Sequence, residues 1–228
     1  MQRLLGIALV LCMIPFLAAG PSHNQPGPAT ERVFFTAFDV DRAPLDIQSG
    51  AMDMYLFSLK TAAAKELAGT EGIRIFEAPA TSVSLILNPA PAPVGQLNPF
   101  AVQEIRQAMQ YLVNREFIAN DIYRGMAVPM HTHVSPMDYD FLTIYEIVRS
   151  ADIGYDPDFA RQIIREQMEV AGATLVDGVW NYNDKPIRLK FITRVEDERR
   201  EVGDLIRVEL RQAGFHVDPV YQAFAPAV

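Results

Sequence analysis

Cysteine is nearly absent from this sequence of 228 residues, in which Cys12 stands alone. A single cysteine excludes an intramolecular disulfide framework and a cysteine-based zinc cluster. Basic residues are outnumbered, with 20 Lys and Arg against 28 Asp and Glu and a net charge of -8. The chain therefore lacks the basic balance of a nucleic-acid-binding protein. A mean hydropathy of +0.06 excludes a protein with many membrane spans.

Motifs for nucleotide, zinc-protease and esterase chemistry are also missing. The sequence contains no GxGxxG, GxxxxGKS/T, HExxH or GxSxG pattern. What it does contain is 50% apolar and 21% charged residues, a balance that supports a packed core rather than disorder.

The first thirty residues predict a leader followed by a tether. After an early arginine, residues 4–19 are almost entirely apolar and small residues follow, which is the layout of a cleaved secretory signal at residues 1–20. The lone cysteine lies inside this segment, but Leu11 precedes it where a lipoprotein signal has a small residue. Residues 21–30, PSHNQPGPAT, are polar and rich in proline, so we expect a flexible tether there.

Residues 31–83 alternate between strand-like and helix-like stretches, which indicates an α/β layer. An alanine-rich stretch predicts a helix at residues 61–68, and a short helical turn is expected at residues 44–48. Runs of β-branched and aromatic residues predict four strands, at residues 32–38, 52–57, 73–76 and 83–87. So short a segment rarely stabilises itself, and we expect its strands to have open edges and its apolar residues to lack cover.

Residues 88–100, NPAPAPVGQLNPF, mark the clearest boundary in the chain. Four prolines in this stretch exclude a helix or a central strand and predict a stiff, extended connector. The pattern beyond it is helical, with Asn114 and Asp156 as predicted N-caps. The apolar spacing predicts helices at residues 102–113, 114–123, 141–148 and 157–171.

The C-terminal part predicts a hairpin and then a βαβ unit. The hairpin pairs residues 178–182 with residues 187–192 around an Asn-Asp turn. A charged amphipathic helix follows at residues 198–213 and a closing strand at residues 215–221. We expect this helix to pack on the strand 187–192 through a buried stripe of Val202, Leu205, Ile206, Leu210 and Ala213. The acidic and basic run EDERRE at residues 196–201 is interpreted as the solvated start of the helix.

Two hypotheses concern the loop that precedes residue 139. His131 and His133, at i and i+2, could ligate zinc or nickel with a third ligand from Asp138, Asp140 or His216. The other hypothesis is a polar loop without metal that lines a cleft together with the connector. We adopt the second, with no metal and no catalytic residue, and predict the ligand-binding residues Asn88, Met130, His131, Thr132, His133, Ser135 and Tyr139.

Several stretches, in order, resemble family 5 of the extracytoplasmic solute-binding proteins, the oligopeptide, dipeptide and nickel binders of ABC importers. NPFAVQEIRQA at residues 98–108 and LVNRE at 112–116 are similar to the family's "NPPF…VRQAL.YAIDRE". The resemblance continues with GMAVP at 125–129, YDPDFA at 155–160 and AGF at 213–215. RAPLDIQSGAMDMY, before residue 56, is similar to a segment of the family's first lobe.

The resemblance implies an α/β fold of the type II periplasmic-binding-protein class, in which two lobes close on a solute by hinge motion. Residues 31–83 would form part of lobe I and residues 84–228 an incomplete lobe II, joined by a hinge strand at residues 83–88. Because members of the family are about twice this length or more, we expect weak or no solute binding by this chain alone.

The implied function is substrate recognition for an ABC importer, without catalysis and without a cofactor. The implied partners are a small solute, a peptide first of all, and the membrane permease subunits of the importer, with no nucleic acid. The implied location is the periplasm or the cell surface. Two alternatives stay open: a metal-dependent secreted enzyme that uses the His131 and His133 loop, and a single-lobe interaction protein without a transport role.

Overall fold

The structure, a computed structural model, describes residues 30–78 and 81–223, so the predicted signal and most of the tether lie outside the described residues. The chain divides into two units, residues 1–38 and residues 39–228. In the first unit the described residues, 30–38, form no helix or strand, and Val33, Phe34 and Phe35 are exposed. Of the helices in the described ranges, none has the length and apolar character needed to cross a membrane.

The second unit contains the regular structure. Its helices are α1 (Ala43–Gln48), α2 (Thr61–Leu67), α3 (Gln103–Leu112), α4 (Arg115–Phe117), α5 (Tyr145–Ser150), α6 (Pro157–Val170) and α7 (Arg199–Gln212). A π-helical turn, Ile118–Ile122, continues α4, and 3-10 turns lie at Pro99–Ala101 and Tyr139–Thr143. The strands are β1 (Thr174–Val176), β2 (Val179–Tyr182), β3 (Lys185–Pro186), β4 (Arg188–Arg194) and β5 (His216–Gln222).

Helices α3 and α6 pack together and form one side of the core. Their buried residues recur at helical spacing: Ile105, Ala108, Met109 and Leu112 on α3, and Ala160, Ile164 and Met168 on α6. Asp156 fixes the start of α6, because its Oδ1 accepts the N–H of Phe159 at 3.0 Å and its own N–H donates to the carbonyl of Tyr111 at 3.0 Å. The predicted caps at Asn114 and Asp156 are confirmed.

The hairpin prediction is correct at the turn and wrong in the second strand. Asn183 and Asp184 both have positive φ, 50° and 59°, as a two-residue hairpin turn requires. Only Lys185–Pro186 then pairs with β2, in an antiparallel sheet of order β1-β2-β3. Proline cannot donate to the ladder, and after Ile187 the chain leaves this sheet to become β4.

The predicted βαβ unit is confirmed. Strands β4 and β5 are parallel, in a register that runs from Arg188 opposite His216 to Arg194 opposite Gln222, and α7 packs on both strands. On α7, the residues Val202, Ile206 and Leu210 are buried, whereas the predicted stripe residue Leu205 is only half-buried. The buried stripe is therefore narrower than predicted and is centred on Ile206.

Gly214 and Trp180 close the core between the two sheets. The indole Nε1 of Trp180 donates to the carbonyl of Ala213 at 2.9 Å, and the backbone N–H of Trp180 donates to the carbonyl of Gly214. Gly214 has φ +92°, and a Cβ there would lie 2.8 Å from the indole Nε1. The predicted packing role of Trp180 is confirmed by an exposure of 2%.

None of the four strands predicted between residues 32 and 87 is a strand in the described residues. A strand needs a neighbour to accept and donate its backbone hydrogen bonds, and sequence preference alone does not provide one. Only the helix at residues 61–67 and the helical turn at residues 43–48 form as predicted. Consistent with the expected lack of cover, Phe76 and Ile86 are 78% and 89% exposed. The assignment of this segment to a separate lobe stays a prediction.

Candidate functional site

Asn88 uses its polar groups within the connector. Its Oδ1 accepts the N–H of Ala90 at 3.0 Å, and its carbonyl accepts from Asn98 Nδ2 at 2.8 Å. Asn98 Nδ2 also donates to the carbonyl of Ala90 at 2.8 Å, so the start and end of the proline-rich stretch are held together. The prediction of an extended connector is therefore wrong: residues 88–98 form a closed loop, because the asparagine side chain supplies the donors that the prolines lack. In the described residues no hydrogen bond joins Asn88 to the loop of the other predicted site residues.

Thr132 and Ser135 make the turns of their own loop. Thr132 Oγ1 accepts the N–H of Val134 at 3.2 Å and donates to its carbonyl at 3.1 Å. Ser135 Oγ accepts the N–H of Met137 at 3.1 Å. These are the local side-chain bonds typical of Ser and Thr in turns, so these two hydroxyls shape the loop.

The two histidines of this loop occupy different environments. His131 is half-buried, and its Nδ1 has no hydrogen-bond partner among the residues that the structure describes. Its pKa is lowered by burial and by the nearby charge of Arg115, with Glu116 acting in the opposite sense. His133 is exposed. Among residues 30–78 and 81–223 no three His, Cys, Asp or Glu side chains are grouped so as to hold a metal ion. The geometry of the described residues therefore adds nothing to the metal-enzyme hypothesis.

Met130 and Tyr139 lie at the two ends of the predicted site. Met130 is half-buried, and Tyr139, at the start of the 3-10 turn, is 85% exposed. The two residues thus share the loop but differ in burial. Their role in ligand binding stays a prediction.

A second polar cluster lies at the carboxyl end of the β4–β5 sheet, where parallel α/β sheets usually bind ligands. It consists of Tyr123 and residues 194–199, and we refer to it as the carboxyl-end site. Arg194 Nε donates to Glu196 Oε2 at 3.2 Å, and Arg199 Nε donates to Asp197 Oδ1 at 2.6 Å. Two acids of the site are thus paired within it.

Glu198, in contrast, is bonded to a distant part of the sequence. Its Oε1 accepts the backbone N–H of Thr61, the first residue of α2, at 2.5 Å. From the same helix, Lys65 Nζ donates to the carbonyl of Arg124, the residue that follows Tyr123, at 2.6 Å. These two bonds bring α2 to the carboxyl-end site.

Tyr123 follows the π-helical turn Ile118–Ile122, an element often found at functional positions. Burial raises the pKa of its phenol to about 12, and the charges of Asp197 and Glu198 add to the shift while that of Arg199 opposes it. The hydroxyl therefore stays protonated at neutral pH and can donate as well as accept a hydrogen bond.

Sequence reasoning missed the carboxyl-end site because its charges were interpreted as solvated helix turns. The signal that could have found it was positional: residues 195–198 connect a strand to the crossover helix of a βαβ unit, and such loops lie where ligands bind. Tyr123 had no comparable signal, because its approach to this loop depends on packing.

The family model of the bacterial extracellular solute-binding proteins, family 5 Middle, matches residues 21–226. The chain belongs to this family. The match confirms the predicted resemblance and places the chain among proteins that bind solutes. A comparison with curated proteins gave no match.

Solved structures show the same fold at low sequence identity. They include a lactococcal OppA complexed with an endogenous peptide, with 17% identity and a TM-score of 0.63, covering 82% of this chain and 36% of that chain. The mannohexaose-bound oligopeptide-binding protein of an ABC transporter from Thermotoga maritima has 20% identity and a TM-score of 0.58, covering 84% and 35%. NikZ from Campylobacter jejuni in complex with Ni(L-His) has 16% identity and a TM-score of 0.56, covering 82% and 35%.

As a member of this family, the chain has the type II periplasmic-binding-protein fold, of which it contains only a part. It spans about 35% of the length of the first matched structures. The three proteins are bound to a peptide, an oligosaccharide and a nickel complex, so the shared fold does not define the solute.

Proposed function

We propose that this chain recognises a small solute, a peptide first of all, for an ABC importer and performs no catalysis. The proposed partners are the membrane permease subunits of that importer, and the proposed location is the periplasm or the cell surface. Membership of the solute-binding family over residues 21–226 carries this proposal. The similarity to a peptide-bound OppA and to the oligopeptide-binding protein of an ABC transporter supports the choice of a peptide and of an importer.

We further propose that the solute binds at the carboxyl-end site rather than along the 130–139 loop. Carboxylates and a protonated phenol suit the N–H and ammonium donors of a peptide. The Thr132 and Ser135 hydroxyls of the 130–139 loop serve the loop's own turns, and the acids of the carboxyl-end site also have partners, so the preference rests on the position of that site at the ends of parallel strands. The loop is the competing location.

Chemical-shift mapping on the isotope-labelled full chain tests both locations, and it detects the weak binding expected here. A neutral tripeptide, mannohexaose and a nickel–histidine complex are each added at about millimolar concentration, the range of weak complexes. We expect the tripeptide to shift the amides of Tyr123 and of residues 194–199. Tyr123→Phe and Glu198→Gln should weaken the effect, while Glu201→Gln, exposed on α7, serves as the matched control.

Two results would change the assignment. Shifts confined to residues 130–139, and reduced by Tyr139→Phe, would move the site to the loop. A well-dispersed spectrum that none of the three solutes perturbs would contradict solute binding by this chain.

A second function is favoured by the exposed apolar residues Val33, Phe34 and Phe35, which suit a surface that another polypeptide covers. This corresponds to an interaction protein without a transport role. Sedimentation of the purified chain tests it: concentration-dependent association lost in Phe34→Ser supports this function, and a monomer at all concentrations contradicts self-association.

A further inference from the structure

The segment of residues 139–150 is helical but unburied. No residue of the 3-10 turn Tyr139–Thr143 or of helix α5, Tyr145–Ser150, is buried in the described structure. Its polar side chains make local bonds, such as the one that Thr143 Oγ1 donates to the carbonyl of Asp140 at 2.7 Å. Because helices this short are only marginally stable in water without packing, the segment depends on a surface that packs against it.

Large apolar side chains of this segment face solvent. Leu142 and Ile147 are 67% and 69% exposed, and Tyr139 is more exposed still. Phe141 is half-buried, and its ring centroid lies 6.2 Å from that of Tyr145, so the turn and the helix support each other's shape. Exposed aromatic and aliphatic side chains on a preformed helical segment are the residues that anchor protein–protein interfaces.

The charge of the segment selects among partners. Its charged residues, counted with their immediate neighbours, are mostly acidic: against Arg149 stand Asp138, Asp140, Glu146 and Asp152. A second copy of the chain would bring like charges together at this surface, and a cytoplasmic-type membrane surface is itself anionic, so charge disfavours both. The segment is complementary to an apolar protein surface that is flanked by Lys or Arg.

We propose that the 139–150 segment is a docking surface for another protein. The apolar face of that partner packs on Tyr139, Leu142 and Ile147, and its Lys or Arg side chains pair with the exposed carboxylates of Asp140 and Glu146. The proposal goes beyond solute binding, uses no residue of the carboxyl-end site and does not depend on which solute the chain recognises.

Two synthetic peptides test the proposal by chemical-shift mapping on the isotope-labelled full chain. Both are amphipathic helices with a stripe of leucine, which lysine flanks in one peptide and glutamate in the other. We expect the lysine peptide to shift the amides of residues 139–150 and to bind at least about tenfold more tightly than the glutamate peptide, because like charges reject each other. Shifts spread over the acidic surface without preference for residues 139–150, or equal affinities of the two peptides, would overturn the proposal.

An apolar variant and its control locate the packing contact. Leu142→Ser combined with Ile147→Ser should weaken binding of the lysine peptide by about tenfold or more, as for the loss of interface anchors. Val170→Ser, at an exposed apolar position at the end of α6, should leave the affinity unchanged. Equal losses in the variant and the control would overturn the proposal.

A charge variant and its control locate the polar contact. Asp140→Asn combined with Glu146→Gln should weaken binding severalfold and reduce its dependence on salt. Asp177→Asn combined with Asp184→Asn removes the same charge from exposed positions elsewhere and should have a smaller effect. Equal effects of the two double variants would show that only the net charge attracts the peptide, and would overturn the proposal.

Sedimentation and vesicle flotation of the full chain address the two disfavoured partners. Through this segment we expect neither self-association nor binding to phosphatidylglycerol vesicles. Self-association, or flotation with the vesicles, that Leu142→Ser combined with Ile147→Ser abolishes would assign the segment to a second copy or to a membrane and would overturn the proposal.

Discussion

Residues 98–223 and residues 39–78 both contain large apolar side chains, but only in the first region are most of them packed into a common core. In the first region, α3, α6, α7 and both sheets share one cluster of buried side chains that includes Ile105, Ile164, Trp180 and Phe215. In the second, Met54, Leu56 and Phe76 are largely exposed, and no strand forms among the described residues. Apolar side chains therefore stabilise the fold only where a second layer of structure buries them.

Hydrogen exchange should show the largest difference between the regions. We expect amides on α3, α6 and α7 to exchange with the free energy of global unfolding, and amides of residues 39–78 to exchange by local opening, with protection lower by orders of magnitude. Mass spectrometry of peptides from the exchanged full chain measures both. Equal protection of the amides in the two regions would contradict the difference in packing.

Replacement of one aromatic residue by alanine in each region should lower the free energy of unfolding by very different amounts. Trp180→Ala removes a 2% exposed indole and its bond to Ala213, and should lower the free energy of unfolding by about 3–5 kcal/mol. Phe76→Ala, at a 78% exposed position, should change it by less than about 0.5 kcal/mol. Urea unfolding of both variants gives the two values, and similar losses would show that residue 76 is covered in solution.

Gly203 tests how closely α7 lies on β4. A Cβ at this position would lie 2.4 Å from Thr193 Cγ2, and Thr193 is buried, so Gly203→Ala should cost about 1–3 kcal/mol through overpacking. The double variant Gly203→Ala with Thr193→Ala should recover part of that loss, because the clashing groups are removed. Thermal unfolding of the single and double variants measures the coupling, and strictly additive losses would argue against a direct clash.

Asp156 should give a smaller loss of stability than Trp180 or Gly203. Asp156→Ala removes the bond from its Oδ1 to the N–H of Phe159 and should cost about 1 kcal/mol. Asp156→Asn retains an acceptor and should recover most of this loss. Equal losses in the two variants, measured by urea unfolding, would mean that the charge rather than the cap bond stabilises α6.

The candidate sites, like the fold, can be predicted from the sequence only in part. The 130–139 loop was found because proline, histidine and hydroxyl residues mark polar loops in any sequence, and its ligand-binding role stays a prediction. The carboxyl-end site brings Tyr123 to residues 194–199, and its Glu198 accepts the N–H of Thr61, although these three segments are far apart along the chain. No local pattern records such a meeting, because it depends on the path of the whole chain.

The sequence by itself determined helices α3, α6 and α7, the caps at Asn114 and Asp156, the Asn-Asp turn and the βαβ unit, because these features depend on neighbouring residues and on periodicity. The helix predicted at residues 141–148 is instead a 3-10 turn, Tyr139–Thr143, followed by the helix Tyr145–Ser150, and the helix predicted at residues 114–123 becomes π-helical from Ile118. It also determined the family, through motifs in order along the chain. Tertiary structure alone decided that residues 52–57 and 73–76 form no strands, that β4 does not pair with β2 in the hairpin, and that Glu198 receives the N–H of Thr61. The physical reason is the same in each case: a strand or a carboxylate acquires its structural role from the group that it meets, and the fold decides which group that is.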